Sequence, residues 1–361
     1  MRIRFARHRN LGAVVGVALL MSGLSLTVAA AEELYRSTAD IAIGGIGGWD
    51  YLSVDPAAHR LYVSHATKVV VIDTAKNAVV GEIPDLPGVH GMAVATDLHR
   101  GFTTNGGEAK VSIIDLQTLQ LVSKVDTGQN PDAYAYDPGR QEMYAFNGGG
   151  QSATVIDAKS GKVVATIPLG GRPETGQADP KAGRVYVNIE DKSAIAVIDT
   201  KTHTVVATWP IAPGEEPTGM AIDLATHRLF VGCGGNKLML MIDSTTGKVL
   251  ASVPAGQGVD ATWFDPGTKL AFSSSGDGIV AIAREDTPTT LTPVQTLTTA
   301  RGARTMALDP VNHNIYLAAA KYEEAPPPAA GARAPTAPPG RGRAAMVPNS
   351  MHVMVFGYQG K

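Results

Sequence analysis

The sequence predicts an all-β protein: a single seven-bladed β-propeller of four-stranded blades, its ring closed by the N-terminal strand. Three observations carry that prediction. A unit with an aromatic residue at the second position of a strand recurs at Tyr62, Phe102, Tyr144, Tyr186, Phe230 and Tyr316, with Ala271 in the sixth place, at steps of 40 to 45 residues. An Ile-Asp pair keeps step with it at Ile72-Asp73, Ile114-Asp115, Ile156-Asp157, Ile198-Asp199 and Ile242-Asp243, degraded at Ala281-Ile282 and near Val355-Phe356. Beyond the N-terminal leader, no segment keeps a helical period over ten or more residues. A fixed period near forty with several short strands per unit is the sequence signature of propeller blades.

Within each unit a short apolar strand leads to an Asp-Pro-like turn, then to the strand with the aromatic anchor. A polar loop, the Ile-Asp strand, a turn such as Ala158-Lys159-Ser160-Gly161-Lys162 and a Val-rich strand such as Val163 to Ile167 follow. Alternating Val, Ile and Thr bounded by Gly, Asp and Asn is strand-and-hairpin chemistry. The period places the blades at about 49–88, 89–130, 131–172, 173–216, 217–258, 259–302 and 303–361. Because the last unit supplies only three strands, residues 34–43 are expected to close the ring beside 352–357, removing the free sheet edges that invite aggregation.

Ahead of the propeller domain (32–361), residues 1–31 have the layout of a secretory signal peptide. Arg2, Arg4, Arg7 and Arg9 precede an apolar run from Leu11 to Val28 that ends in Ala29-Ala30-Ala31. The expected location is therefore periplasmic or secreted, with no membrane span after leader removal. Without those arginines the chain has 27 basic against 33 acidic residues, a net charge of −6, which suits a phosphate-backbone partner poorly. Cys233 is the only cysteine, so an intramolecular disulfide and a c-type haem attachment are both excluded. A monomer is expected.

Leu61-Tyr62-Val63-Ser64, Met143-Tyr144-Ala145-Phe146-Asn147 and Val185-Tyr186-Val187-Asn188 resemble the Tyr-Val-Thr-Asn signature of the YVTN β-propeller repeats. The Ile-Asp-Thr and Val-Val-Ala-Thr-Ile strings that follow are similar to the same repeat, and the resemblance includes the YncE-like exported propellers. It implies the fold. It leaves open binding platforms, surface-layer modules, lactonases and redox subunits, and its YncE-like branch allows single-stranded nucleic-acid binding.

Propeller geometry then sorts the loops into two faces. The Asp-Pro turns at 55, 137, 179, 265 and 309, with His59, His99, His227 and His313, belong to one face and read as turn builders. Twelve residues before each anchor lies the start of the innermost strand on the other face. Those positions are Asp50, His90, Asp132, Glu174, Thr218 and Arg304, with Asp260 as the equivalent in the sixth blade. A polar ring at the channel mouth suits solvation, ligand binding, a divalent cation (Ca²⁺ or Zn²⁺) held by Asp50, His90, Asp132, Glu174 or Asp260, or an acid–base pair.

The Gly-rich loops on the same rim (105–108, 147–150, 234–237) read as tight turns, since none opens a helix as a phosphate loop requires. Residues 324–350 form a Pro/Ala/Gly/Arg-rich insertion whose composition predicts disorder or a basic arm over the mouth. With no Gly-x-Ser-x-Gly elbow and no His-Glu-x-x-His, the expected role is non-catalytic: binding of a small molecule or an exported protein at the mouth. The alternatives are a metal-assisted hydrolase of the lactonase kind and, disfavoured by charge and by 6% aromatic content, single-stranded nucleic-acid binding.

Overall fold

The computed structural model describes residues 33–323 and 346–360, with Met1 alone ahead of them. The expected leader and residues 324–345 of the expected insertion lie outside the described residues. Residues 346–350, assigned to that insertion, are held in place: Met346 bridges Tyr322, and Val347 N–H donates to the Lys321 carbonyl at 2.8 Å.

Seven four-stranded antiparallel sheets are arranged as the blades of a propeller. The inner strands are Leu52–Asp55, Val89–Ala95, Pro131–Asp137, Pro173–Asp179, Pro217–Asp223, Val259–Asp265 and Met306–Leu308. The seventh blade runs Met306–Leu308, Ile315–Ala319, His352–Tyr358 and then Tyr35–Ala42, so the N-terminal strand is its outer member and closes the ring. Helical structure among the described residues is limited to two single turns, Thr96–Leu98 and Glu190–Lys192.

Apolar cores lie between neighbouring blades, where alternating side chains of one sheet meet those of the next. Tyr144 and Phe146 of the third blade, for example, pack with Val185 and Val187 of the fourth. The aromatic anchors Tyr62, Phe102, Tyr144, Phe230 and Tyr316 are at most 1% exposed, and each contributes roughly 2–3 kcal/mol by burial. Ala271 breaks the pattern at no cost in volume. Its cross-strand partner Phe264 takes over, stacking on Phe230 with ring centroids 4.5 Å apart.

The histidines of the Asp-Pro turns do more than build turns. Each turn's fifth residue has positive φ, from His99 at 51° to Gly183 at 64°, and its side chain can reach the carboxylate of the preceding blade. His313 Nδ1 lies 2.7 Å from Asp265 Oδ2, Lys269 Nζ 3.3 Å from Asp223 Oδ2, and His227 Nδ1 3.9 Å from Asp179 Oδ2. Where the fourth blade has Gly183, Asp137 Oδ2 has no partner among the described residues, and burial raises its carboxyl above the ordinary range. His313→Ala leaves the Asp265 carboxylate, 0% exposed, without that contact. A loss of about 1–3 kcal/mol is expected in chemical denaturation, against a smaller loss for His227→Ala.

The rim is protected as well as paired. Outer strands Ala78–Ile83, Gln120–Asp126, Val163–Pro168 and Thr204–Pro210 each carry a register shift at the same step, leaving Val80, Val122, Val164 and Val206 as the extra residues. A bulge repeated at one position twists each edge away from flat pairing with another chain.

Candidate functional site

The seven ring positions converge at one end of the channel, each half-buried. Hydrogen bonds from neighbouring blades to their backbone carbonyls hold four of them. Tyr51 N–H donates to the His90 carbonyl (2.8 Å), Thr104 Oγ1 to that of Asp132 (2.5 Å), Asn188 Nδ2 to that of Thr218 (3.0 Å), and Ser274 Oγ to that of Arg304. The side chains therefore project from a frame fixed by neighbouring blades.

Five of them form a belt of alternating charge across five adjacent blades. In order round the ring, Asp132, His90, Asp50, Arg304 and Asp260 read minus, plus, minus, plus, minus. His90 Nδ1 lies 2.8 Å from Asp50 Oδ2 and 3.2 Å from Asp132 Oδ1. Arg304 pairs with Asp260 through Nε, and its Nη2 lies 3.8 Å from Asp50 Oδ1. Burial opposes protonation of His90, but the hydrogen bond it donates to Asp50 and the charges of Asp132 and Asp50 outweigh it, raising the imidazole to about 9. At neutral pH it is an imidazolium, a donor rather than a base. Burial likewise opposes the charge of Arg304, and Asp260 and Asp50 more than offset it.

Glu174 and Thr218 occupy the remaining two blades and differ from the belt. Thr218 Oγ1 donates to the Val259 carbonyl at 2.8 Å, so it joins blades and offers the mouth little. Glu174 is hydrogen-bonded to Glu190, whose Oε2 in turn meets Arg172 Nη2 at 2.6 Å. Desolvation first, then the charges of Asp132, Glu190 and Asp260, push the Glu174 carboxyl far above its ordinary range. Glu174 is therefore a neutral acid in a sector of carboxylates.

Residues outside the predicted ring complete the site. Asn130 hydrogen-bonds His90, and Gly106 leaves room for both. A Cβ on Gly106 would lie 2.7 Å from His90 Nε2 and 2.5 Å from Asn130 Oδ1. Gly106→Ala is therefore expected to displace the imidazole, cost about 1–2 kcal/mol and shift the His90 titration seen by NMR. The other rim glycines serve the turns: Gly148, Gly234 and Gly276 N–H groups donate to the carbonyls of Asn130, Glu216 and Gly258, each at 2.9 Å. Tyr51 closes the mouth from below, its hydroxyl held in the protonated form by burial and then by the charges of Asp132, Asp50 and Asp260.

Of the five cation-ligand candidates, Asp50, His90 and Asp132 come together, with one donor atom each inside 4.8 Å. Glu174 and Asp260 stand apart from that group, engaged with Glu190 and Arg304.

The fold and the mouth define a seven-bladed β-propeller with a polar, ion-paired channel end. A segment of 95 residues is 28% identical to the uncharacterized protein YncE of Salmonella typhi, and equally to that of Salmonella typhimurium strain LT2, covering 26% of this chain and 27% of each relative. The match thus spans about a quarter of the curated relatives' length. No profile of a known protein family matches the chain. Among solved structures, a chain of the mitotic checkpoint complex superposes with a TM-score of 0.68 at 14% identity, over 86% of this chain and 95% of that one. A chain of Kuenenia stuttgartiensis hydrazine synthase gives 0.66 at 18% identity, over 75% and 92%. At these identities the likeness is one of fold.

Proposed function

We propose that the protein is a non-catalytic binding propeller, exported by its leader, that recognises a small ligand or a protein partner at the channel mouth. The charge belt carries this reading. Its ions compensate one another on a rigid frame, while Glu174 is kept neutral by the carboxylates around it. A group held uncharged in that way marks a place where positive charge is lacking, and a ligand's cationic group would supply it. His90, the side chain best suited to proton transfer, is committed between two carboxylates, which favours recognition over catalysis.

A panel of metabolites and metals, screened by thermal unfolding, tests this. The expected result is a ligand-dependent rise in midpoint that Glu174→Ala or Arg304→Ala abolishes. Absence of any shift across the panel would leave the mouth as a solvated surface and overturn the proposal.

The grouping of Asp50, His90 and Asp132 favours a second reading, a divalent cation serving a lactonase-type hydrolase. One metal per chain should then survive purification, disappear in Asp132→Ala, and accompany lactone turnover. Nucleic-acid binding predicts a steep loss of affinity with salt. The net charge of −6 without the leader arginines weighs against it.

A further inference from the structure

Below the charged mouth the channel holds a cavity of about 280 Å³. Its wall begins one residue past the ring, at Tyr51 and Ala133, and runs to Val54, Val94, Tyr136 and Ala178, each one residue before its inner strand ends at the opposite face. None of the seven ring residues contributes to it. Tyr51 separates the two spaces: it comes from the first blade, yet its hydroxyl lies close to carboxyl groups of the third, fourth and sixth blades. Its ring meets that of Tyr134 edge-on, centroids 5.9 Å apart.

We propose that this cavity is a second binding site, separate from the mouth and entered from the Asp-Pro turn face, for a small uncharged molecule with an aromatic or compact apolar body and one hydrogen-bonding group. No Asp, Glu, Lys, Arg or His lines the cavity, so a charged ligand would be desolvated there without compensation. Three polar side chains of the wall are engaged with their neighbours. Ser53 Oγ donates to the Met92 carbonyl (2.7 Å), Gln177 Nε2 to that of Met220 (2.9 Å), and Trp263 Nε1 to that of Met306 (2.7 Å).

Ring faces and thioethers remain, and sulfur against aromatic rings is a favourable contact. The hydroxyl of Tyr51, which lines the cavity and lies close to the mouth carboxyls, sets the polar end of the ligand toward the mouth. Apolar cavities of about 150 Å³ accept a benzene-sized molecule, so this one has room for one ring or two fused rings.

Phenol and toluene titrated into the full-length protein, followed by Trp263 fluorescence and ligand-observed NMR, test the site. Saturable binding of phenol is expected. Ala178→Phe, which fills the turn-face end, should weaken it at least tenfold, and Val94→Phe serves if that variant does not fold. Tyr51→Phe should weaken phenol about tenfold and leave toluene unchanged, as loss of one hydrogen bond predicts. Glu174→Ala and Arg304→Ala should leave phenol binding intact, so failure of the mouth reading and failure of this one are distinguishable. No saturable binding, or binding unaffected by filling the cavity, would show that the channel holds only water and overturn the proposal.

Discussion

Raising the pH from 6.5 to about 9 is expected to cost the folded protein on the order of 3 kcal/mol through His90 alone. The imidazole is raised in the folded state, so the folded chain binds a proton that the unfolded chain has released. The stabilisation is complete below the unfolded value of 6.5 and is lost as pH climbs through the folded value of about 9. Asp50→Asn should remove most of this dependence, because it takes away both the hydrogen bond and one of the two carboxylates beside the ring. It also leaves His90 and Arg304 facing each other across a neutral amide, a further loss of about 1–2 kcal/mol at pH 6. Urea midpoints from pH 6 to 10, with an NMR titration of His90, provide the check. A flat wild-type profile, or a His90 midpoint near 6.5, would contradict the ion-paired belt.

That belt was legible in the sequence only as a set of positions. Counting twelve residues back from the aromatic anchors found Asp50, His90, Asp132, Glu174, Thr218, Asp260 and Arg304, because a blade repeats its geometry as faithfully as its strands. The sequence also suggests one pair, Arg304 with Asp260, which the structure forms, but the count says nothing of the other partners. Alternation of charge depends on the order of blades round a closed ring, and it became visible once Asp260 and Asp50 stood on either side of Arg304. Tyr51 and Glu190 escaped notice for different reasons. Tyr51 follows Asp50 and belongs to no repeated aromatic position, while Glu190 lies in a rim loop whose approach to Glu174 depends on the turn at Glu190–Lys192. The His-to-Asp contacts between turns were likewise hidden, since each joins residues 46 to 48 apart and depends on positive φ at the histidine or lysine.

Glu174→Gln should make the protein more stable at neutral pH and worse at its task. Stability tied to a carboxyl raised above its ordinary value of 4.5 is fully present below that pH and is lost as pH rises, because the unfolded chain ionises first. Gln keeps the hydrogen-bonding shape of the protonated acid without needing the proton. A gain of about 1–2 kcal/mol at pH 7–8 follows, read as a rise of roughly 2–5 °C in thermal midpoint. The gain should vanish near pH 4, where Glu174 is protonated in both states. If a cationic ligand draws Glu174 into its ionised form, the same substitution should weaken binding at least tenfold. Binding in the wild type should then release a proton, measurable as a buffer-dependent heat. A destabilised Glu174→Gln protein would mean that the carboxyl is ionised in the fold, and the acidic sector would need another source of compensation. Stabilisation together with lost binding would identify Glu174 as a group kept uncomfortable by its neighbours for the sake of recognition.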